Sequence, residues 1–279
     1  MTQKAYLTWI LALLVLVLAG VGCATAEEET VSEDQPTQVA PPEEEKPLPG
    51  DMVLIPAGEF TMGSDENAGS PPFAQPAHTV DLPAYYIDVY EVTNGQFARF
   101  QLESDYQAEG DWRDFYTIGK EDAPVANVTL QDAKAYCEWA GKRLPTEAEW
   151  EKAARGPDNL PYPWGEQFDA TITNTNENGI RNVVEVGTMG DVSGYGLYDT
   201  MGNVQEWTSD VLRPYQGAPA EVRNHPAVNG DYYVVRGASY AMKGRSMYLW
   251  TRSGYLPKSQ FGLGFRCARD ADEDASQNN

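Results

Sequence analysis

The 279-residue chain is strongly acidic, with 42 Asp and Glu residues against 20 Lys and Arg and a net charge of −22. A chain this acidic, without a basic cluster, is a poor binder of nucleic acids, because their phosphates attract Lys and Arg. Residues 51–269 are long enough for one domain with a sizeable core.

The amino terminus predicts an export signal. Lys4 is the only charged residue before an apolar run over residues 5–22, and small residues lead to Cys23. This pattern is typical of a secretory signal. Three outcomes remain open: lipidation of Cys23 at a lipobox, cleavage at the A-x-A site over residues 24–26 to give a soluble secreted or periplasmic protein, or an uncleaved membrane anchor. We expect the lipoprotein of the bacterial envelope, although Gly20 stands where a lipobox usually has an aliphatic residue.

Two polar segments flank the expected domain. Residues 24–50 contain eight acidic residues, one lysine and several prolines, with no aromatic residue. Such a segment cannot bury enough apolar surface to fold, and its like charges keep it extended. We therefore predict a disordered tether over 24–50 and a disordered acidic tail over 270–279.

From Asp51 onward the sequence predicts short elements of both kinds. Strand-like runs, rich in alternating or β-branched residues and bounded by turn residues, cover 52–56, 58–63 and 78–82. Three helices are predicted from their caps: one begins after Thr93 or Asn94, one lies between Thr129 and Gly141, and one begins at the capping box of Thr146.

The rest of the chain predicts little regular structure. Beyond Pro157 the sequence is rich in Gly, Asn, Pro and aromatic residues, so long helices are not expected there. Short strand-like runs occur within 228–240 and 261–268. The sum is a loop-rich α+β domain with few regular elements, over residues 51–269.

Several blocks of sequence occur together in a specific order. They are Ile-Pro-Ala-Gly-Glu-Phe-Thr-Met-Gly at 55–63, Tyr-Glu-Val-Thr-Asn at 90–94, Gly-Lys-Arg-Leu-Pro-Thr-Glu-Ala-Glu-Trp-Glu at 141–151, Pro-Trp-Gly at 163–165, Gly-Leu-Tyr-Asp at 196–199, Met-Gly-Asn-Val-Gln-Glu-Trp at 201–207, Arg-Gly-Ala-Ser-Tyr at 236–240 and Gly-Leu-Gly-Phe-Arg-Cys at 262–267. Together they resemble the formylglycine-generating enzyme family, also called sulfatase-modifying factors. The resemblance implies a C-type-lectin-like fold, compact and poor in regular secondary structure.

The resemblance also implies where the family's oxidase chemistry would lie. Active members use two cysteines to bind copper(I) and to oxidise a substrate cysteine to formylglycine, and those positions match Met242 and Met247 here. A thioether cannot become a thiolate nucleophile. Methionine is a soft copper(I) ligand, but we expect the two methionines to fill the volume that the cysteines left. No copper and no formylglycine-generating activity are expected.

Active family members carry structural calcium, and the resemblance implies two such sites. Oxygen donors around a tight turn suit a hard cation. The first set is Asp199 and Glu206 with the carbonyls of Gly202 and Val204. The second set is Asn174 and Asn178 with the carbonyls of Thr175 and Ile180, and there Asn178 replaces the family's usual Asp. The alternative is that both sets are solvated polar residues of turns.

The cysteines that remain after Cys23 predict a disulfide. If Cys23 is lipidated or removed, Cys137 and Cys267 remain in an oxidising compartment, which suggests one bond between them. Two buried free thiols are the alternative. The resemblance implies the bond, because the family's matching positions are bridged.

Two functions remain open. The first is a non-catalytic binding or scaffold module of the envelope, with a peptide, a glycan or an envelope protein as partner and a membrane contact through the lipid. The second is an oxidoreductase of the same family whose chemistry does not need the two cysteines. The aromatic stretch over 232–255 could form a binding groove, or its residues could be ordinary core aromatics. With only two histidines, His78 and His225, a three-histidine metal site cannot be built.

Overall fold

The computed structural model describes residues 46–65, 71–114, 116, 118–258 and 261–271. The predicted signal, Cys23, most of the tether and residues 272–279 of the tail lie outside these residues. The described chain contains strands β1 (Met52–Ile55), β2 (Gly58–Met62), β3 (His78–Leu82), β4 (Tyr85–Asp88), β5 (Gln205–Val211), β6 (Tyr233–Arg236), β7 (Ser253–Tyr255), β8 (Leu263–Gly264) and β9 (Ala268–Asp270). Its α-helices are α1 (Asn94–Ser104), α2 (Leu130–Trp139), α3 (Glu147–Arg155) and α4 (Ala220–Arg223).

The strands form three small sheets. One has the order β1-β4-β9, β2 and β3 pair as a two-stranded sheet, and the third has the order β7-β6-β5-β8. All pairs are antiparallel except β5 with β8. The predicted loop-rich α+β fold is confirmed. None of the described helices has both the length and the apolar composition needed to cross a membrane.

The three predicted helices are confirmed, and their capping residues explain where they begin. Thr93, Thr129 and Thr146 each accept a hydrogen bond from the backbone N–H three residues later, and in each case that residue's side chain bonds back to the backbone of the threonine. Each capping box thereby satisfies two backbone N–H groups at the helix start that would otherwise lack a partner. Thr93, and not Asn94, is the cap of α1.

Several strands were not predicted. The longest, β5, has a buried start that reads Gln-Glu-Trp-Thr, so it shows no alternation of apolar and polar residues. The polar side chains are buried because charged and polar partners meet them inside the fold, and sequence patterning does not show those partners. At the chain's end, Asp270 belongs to β9 and pairs with Arg143, whereas the predicted tail begins at that residue.

The predicted disulfide between Cys137 and Cys267 is present. It joins α2 to the segment that enters β9, across 130 residues of sequence. Both cysteines are fully buried in the largest apolar cluster, which also contains Phe97, Phe100 and Phe265. The bond therefore fastens the end of the domain to its central helices.

Candidate functional site

Met242 and Met247 lie in one apolar cluster, here called the methionine cluster. Its buried members are Trp150, Ala154, Tyr162, Met201, Ala238, Met247 and Leu249, with half-buried Trp164, Phe168, Met242 and Tyr248 packed against them. The chain reaches this arrangement through a short 3-10 turn over Gly244–Ser246. The N–H of Met242 donates to the carbonyl of Ser239, and the N–H of Met247 donates to that of Gly244. The two thioethers contribute apolar packing and no ionisable group.

On the other side of Trp150 lies a second feature, here called the acid-rich cluster. It consists of Arg266 and four carboxyl groups, which are Glu91, Asp191, Asp199 and Glu206, and all five side chains are at least 98% buried. Arg266 forms two parallel hydrogen bonds to Glu206, of 2.7 Å from Nε and 2.8 Å from Nη2. Its other N–H groups donate to the backbone carbonyls of Asp88, Val89 and Tyr198.

The remaining carboxylates of the acid-rich cluster accept mainly from backbone N–H groups. Glu91 accepts from Val204 at 3.1 Å and from the side-chain amide of Asn203 at 2.9 Å. Asp191 accepts from the N–H of Met201 at 2.7 Å. Asp199, which has a left-handed backbone with φ of 60°, accepts from the N–H of Gly187 at 2.6 Å.

Burial makes these carboxylates difficult to ionise. Burial, reinforced by the charge of Asp199, raises the pKa of Asp191 to about 8. Burial likewise raises the pKa of Asp199 to about 6, although the N–H of Gly187 and the charge of Arg266 oppose the shift. The pKa of Glu91 is raised well above its usual range by burial and by its neighbours Asp199 and Glu206. One guanidinium does not balance four ionised carboxylates, so full ionisation would leave an excess of negative charge that protons or a further cation must balance.

The structure brings the carboxylates of the first predicted calcium site, Asp199 and Glu206, into this one cluster, beside the turn that carries Gly202 and Val204. The excess of buried negative charge fits a divalent cation. Both oxygens of Glu206 already accept from Arg266, and one also accepts from Nε1 of Trp150 at 2.8 Å. Within the described residues, no three Asp, Glu, His or Cys side chains are grouped closely enough to hold a metal ion by themselves. An ion here would need backbone carbonyls as further ligands, and calcium stays a prediction.

The second predicted calcium set is electrically neutral. The amide of Asn178 donates to Oδ1 of Asn174 at 3.3 Å and to the carbonyl of Thr173 at 2.8 Å. The oxygen of Asn178 accepts from the N–H of Ile180. Thr175 is buried, whereas the Ile180 side chain is 45% exposed. The two amide groups meet, but no carboxylate of the set joins them, which gives a weaker donor set than the first.

A third buried feature, here called the arginine-rich cluster, contains two glutamates and three arginines. Arg236 donates to Glu151 at 2.6 Å, Arg155 donates to Glu151 at 3.0 Å, and Arg252 forms two hydrogen bonds of 2.7 Å to Glu147. Backbone carbonyls, including those of Thr61, Phe73 and Leu249, accept the other hydrogen bonds of these arginines.

The aromatic residues of 232–255 do not line one common groove. Tyr232 packs with the cluster around α4, and Tyr233 and Tyr255 pack on the largest core cluster. Tyr240 lies in a separate apolar cluster. Tyr248 alone among these five joins the methionine cluster. Most of this stretch therefore stabilises the core.

Residues 37–271 match the sequence profile of the sulfatase-modifying factor enzyme 1-like domain. The chain belongs to the sulfatase-modifying factor family. The formylglycine-generating enzyme of Bos taurus is 34% identical over 282 residues, covering 80% of this chain and 75% of that protein. A protein of Mus musculus named inactive C-alpha-formylglycine-generating enzyme 2 is 33% identical over 273 residues, covering 79% and 86%. The solved structure of PvdO from Pseudomonas aeruginosa has a TM-score of 0.65 and 29% identity, and it covers 78% of this chain and 94% of PvdO.

Membership of the sulfatase-modifying factor family confirms the resemblance that the sequence blocks carried. The match begins at residue 37, earlier than the predicted domain start at Asp51. Sequence reasoning placed Asp199 and Glu206 together but missed Glu91, Asp191 and Arg266 as their neighbours. Glu91 and Arg266 stand within apolar stretches of two family blocks, and a charge in such a position is the signal that could have indicated a buried ion pair.

Proposed function

We propose that the protein is a non-catalytic binding or scaffold module of the bacterial envelope, anchored through a lipid on Cys23. The observation that carries the proposal is the packing of Met242 and Met247. Two thioethers lie in the apolar methionine cluster at the positions where the resemblance places the catalytic cysteines. Neither can supply a thiolate or form a disulfide with a substrate.

The other cysteines do not replace the missing pair. Cys137 and Cys267 are bonded to each other and fully buried. A relative that is 33% identical over most of its length carries the word inactive in its name. A family scaffold whose catalytic positions hold methionine is therefore best suited to binding, with a peptide, a glycan or an envelope protein as partner.

The enzymatic half of the proposal is tested with a sulfatase-type Cys-x-Pro-x-Arg peptide. Purified protein supplied with copper should yield no aldehyde product by mass spectrometry. The Met242→Cys, Met247→Cys double variant is the matched comparison, and copper(I) binding gained only in that variant would show that the scaffold still supports the site. Turnover by the unaltered protein above a no-enzyme control contradicts the proposal and favours the enzymatic alternative.

The anchoring half is tested in cells that process lipoproteins. The full-length protein should fractionate with membranes, and its amino-terminal peptide should carry the mass of a diacylglyceryl or triacyl modification on Cys23. Cys23→Ser should lose that mass and change the fractionation. Unaltered protein that retains the apolar run and carries no added mass on Cys23 would indicate an uncleaved anchor and contradict lipidation.

A further inference from the structure

A pocket of about 340 Å³ lies where the described chain begins, and its chemistry is that of a cation site. Two carboxylate residues, Asp122 and Glu185, line it together with Tyr90. The residues Lys46–Pro49 line its other side. The pocket is separate from the methionine cluster and is not part of either predicted calcium set.

The chain's own ammonium group already binds at this pocket. Nζ of Lys46 donates to the carbonyl oxygen of Gly187 at 2.7 Å. The N–H of the same glycine donates to the buried carboxylate of Asp199 at 2.6 Å. Gly187 thus links the ammonium of Lys46 to the acid-rich cluster, and the charge of Lys46 is among the influences that lower the pKa of Asp199 against the effect of burial.

Gly187 is required at this position for a steric reason. Its φ is +65°, and a Cβ atom placed on it would lie 2.4 Å from Cε1 of Tyr90. Only glycine therefore allows the backbone carbonyl and N–H to lie against the tyrosine ring. The backbone is shaped to present a carbonyl acceptor beside Tyr90.

Tyr90 provides a polar group that lacks a partner. The residue is 2% exposed, and its hydroxyl is buried without a hydrogen bond. An unsatisfied buried hydroxyl destabilises the fold. The acceptors that a group with several N–H donors can use here are the carbonyl of Gly187 and the two carboxylates that line the pocket.

The segment that leads into the pocket is acidic and has one basic residue. Residues 24–50 contain eight acidic residues, and Lys46 is their single basic residue. That one cation is the residue whose side chain meets the acidic pocket. Lys46 is itself exposed, so its ammonium can leave the pocket and be replaced without unfolding of the domain.

We propose that this pocket is a binding site for a primary ammonium group and that Lys46 is its resident ligand. The Lys46 ammonium fastens the beginning of the domain at a fixed point beside Gly187. An alkylammonium group from another molecule, such as a lysine side chain of a partner, competes with Lys46 for the same acceptors. This ammonium site is a proposal of its own, and it stands whether or not the protein is the binding module proposed above.

The test uses Lys46→Ala with n-butylammonium chloride as the probe. The amide N–H of Gly187 is followed by two-dimensional NMR, because it lies between the pocket and Asp199. In Lys46→Ala the resonance should shift saturably, with an apparent affinity about ten-fold tighter than in the unaltered protein, where the tethered Lys46 competes at a high effective concentration. Lys258→Ala, which removes an exposed lysine elsewhere, is the matched control and should behave like the unaltered protein.

Two further arms make the result specific to an ammonium group. Tetramethylammonium has the charge but no N–H donor, and it should leave the resonance unchanged. Adding Glu185→Gln to Lys46→Ala should weaken butylammonium binding several-fold, because it removes the charge of one of the two carboxylates that line the pocket. The proposal is overturned if butylammonium acts equally on the Lys46→Ala and unaltered proteins, or if tetramethylammonium acts as strongly.

Discussion

The acid-rich and arginine-rich clusters lie on either side of the Trp150 side chain, and their buried charges are compensated in different ways. Glu206 on β5 and Arg236 on β6 are direct partners in the sheet. Trp150 separates the two clusters: its Nε1 donates to Glu206, and its ring faces the guanidinium of Arg236. Two paired residues of neighbouring strands therefore belong to different clusters, one with more carboxylates than guanidinium groups and one with fewer.

In the arginine-rich cluster, the N–H groups that do not bond to a glutamate donate mainly to backbone carbonyls. Arg155 alone donates to the carbonyls of Thr61, Gly63, Asn159 and Leu160 as well as to Glu151. A carbonyl is a good acceptor for a guanidinium and costs no further charge. Only Nε of Arg236, which is buried without a hydrogen bond to any described residue, remains unsatisfied among the buried guanidinium nitrogens of the arginine-rich cluster.

The acid-rich cluster has no equivalent way to balance its surplus. Backbone N–H groups satisfy single oxygens of its carboxylates, but only Arg266 opposes their charge from within the cluster. The raised pKa values of Asp191 and Asp199 follow from that shortage. The comparison indicates that the acid-rich side depends on protons or cations, whereas the arginine-rich side does not.

The largest effect is expected from the disulfide, because it holds the segment between β8 and β9 that carries Arg266. Cys267 follows Arg266, and its N–H donates to Asp88 beside the cluster. Closing a loop of 130 residues stabilises a domain by about 5 kcal/mol on the chain-entropy model. The Cys137→Ala, Cys267→Ala double variant should lose about that free energy of unfolding, measured by denaturant titration. An unchanged unfolding free energy would show that the bond is not needed to hold Arg266 in place.

The next effect separates the two clusters directly, through Arg266→Met and Arg236→Met. Removing Arg266 leaves Glu206 and its neighbours without their only buried guanidinium, and breaking such a pair costs about 3–5 kcal/mol. Removing Arg236 should cost less, because Glu151 keeps its hydrogen bond to Arg155 at 3.0 Å. Denaturant titration of both variants measures the difference. Equal losses would contradict the inference that the acid-rich cluster lacks a second cationic partner for its carboxylates.

Local signals in the sequence predicted much of the fold. Thr93, Thr129 and Thr146 mark helix starts because a cap acts over three residues, and the sequence contains all of the information that this contact needs. The strand β5 was missed because the burial of Glu206 depends on Arg266, which lies 60 residues away in the chain. The Lys46 contact spans 141 residues and has no sequence motif of its own. Long-range pairing of charges is the part that only the structure supplies.

Calcium should distinguish the clusters further, because only the acid-rich side has surplus negative charge. At a concentration about 100 times its Kd, a ligand that binds only the folded state adds about 2.7 kcal/mol. Chelator should therefore lower the Tm of purified protein, and Glu206→Gln should blunt this response. Glu151→Gln, the matched change in the arginine-rich cluster, should leave the response intact. If chelator has no effect on any of the three proteins and elemental analysis finds no calcium, the calcium prediction is wrong.

The smallest effect is a dependence of stability on pH that comes from Asp191. Its folded pKa of about 8 lies above the ordinary value of 3.8, so the folded state binds a proton more tightly than the unfolded state does. The resulting stabilisation is fully present below about pH 4 and is lost as the pH rises towards 8. Between pH 6 and 8 Asp199, with a pKa of about 6, is at least half ionised, so the slope there should come from Asp191 together with Glu91, whose pKa burial also raises. One such proton changes the free energy of unfolding by at most about 1.4 kcal/mol per pH unit. Thermal melts of chelator-treated protein should show stability falling over this range, and Asp191→Asn should flatten the fall, because its amide oxygen can still accept from the N–H of Met201. A slope that is the same in both proteins would show that Asp191 is not the titrating group.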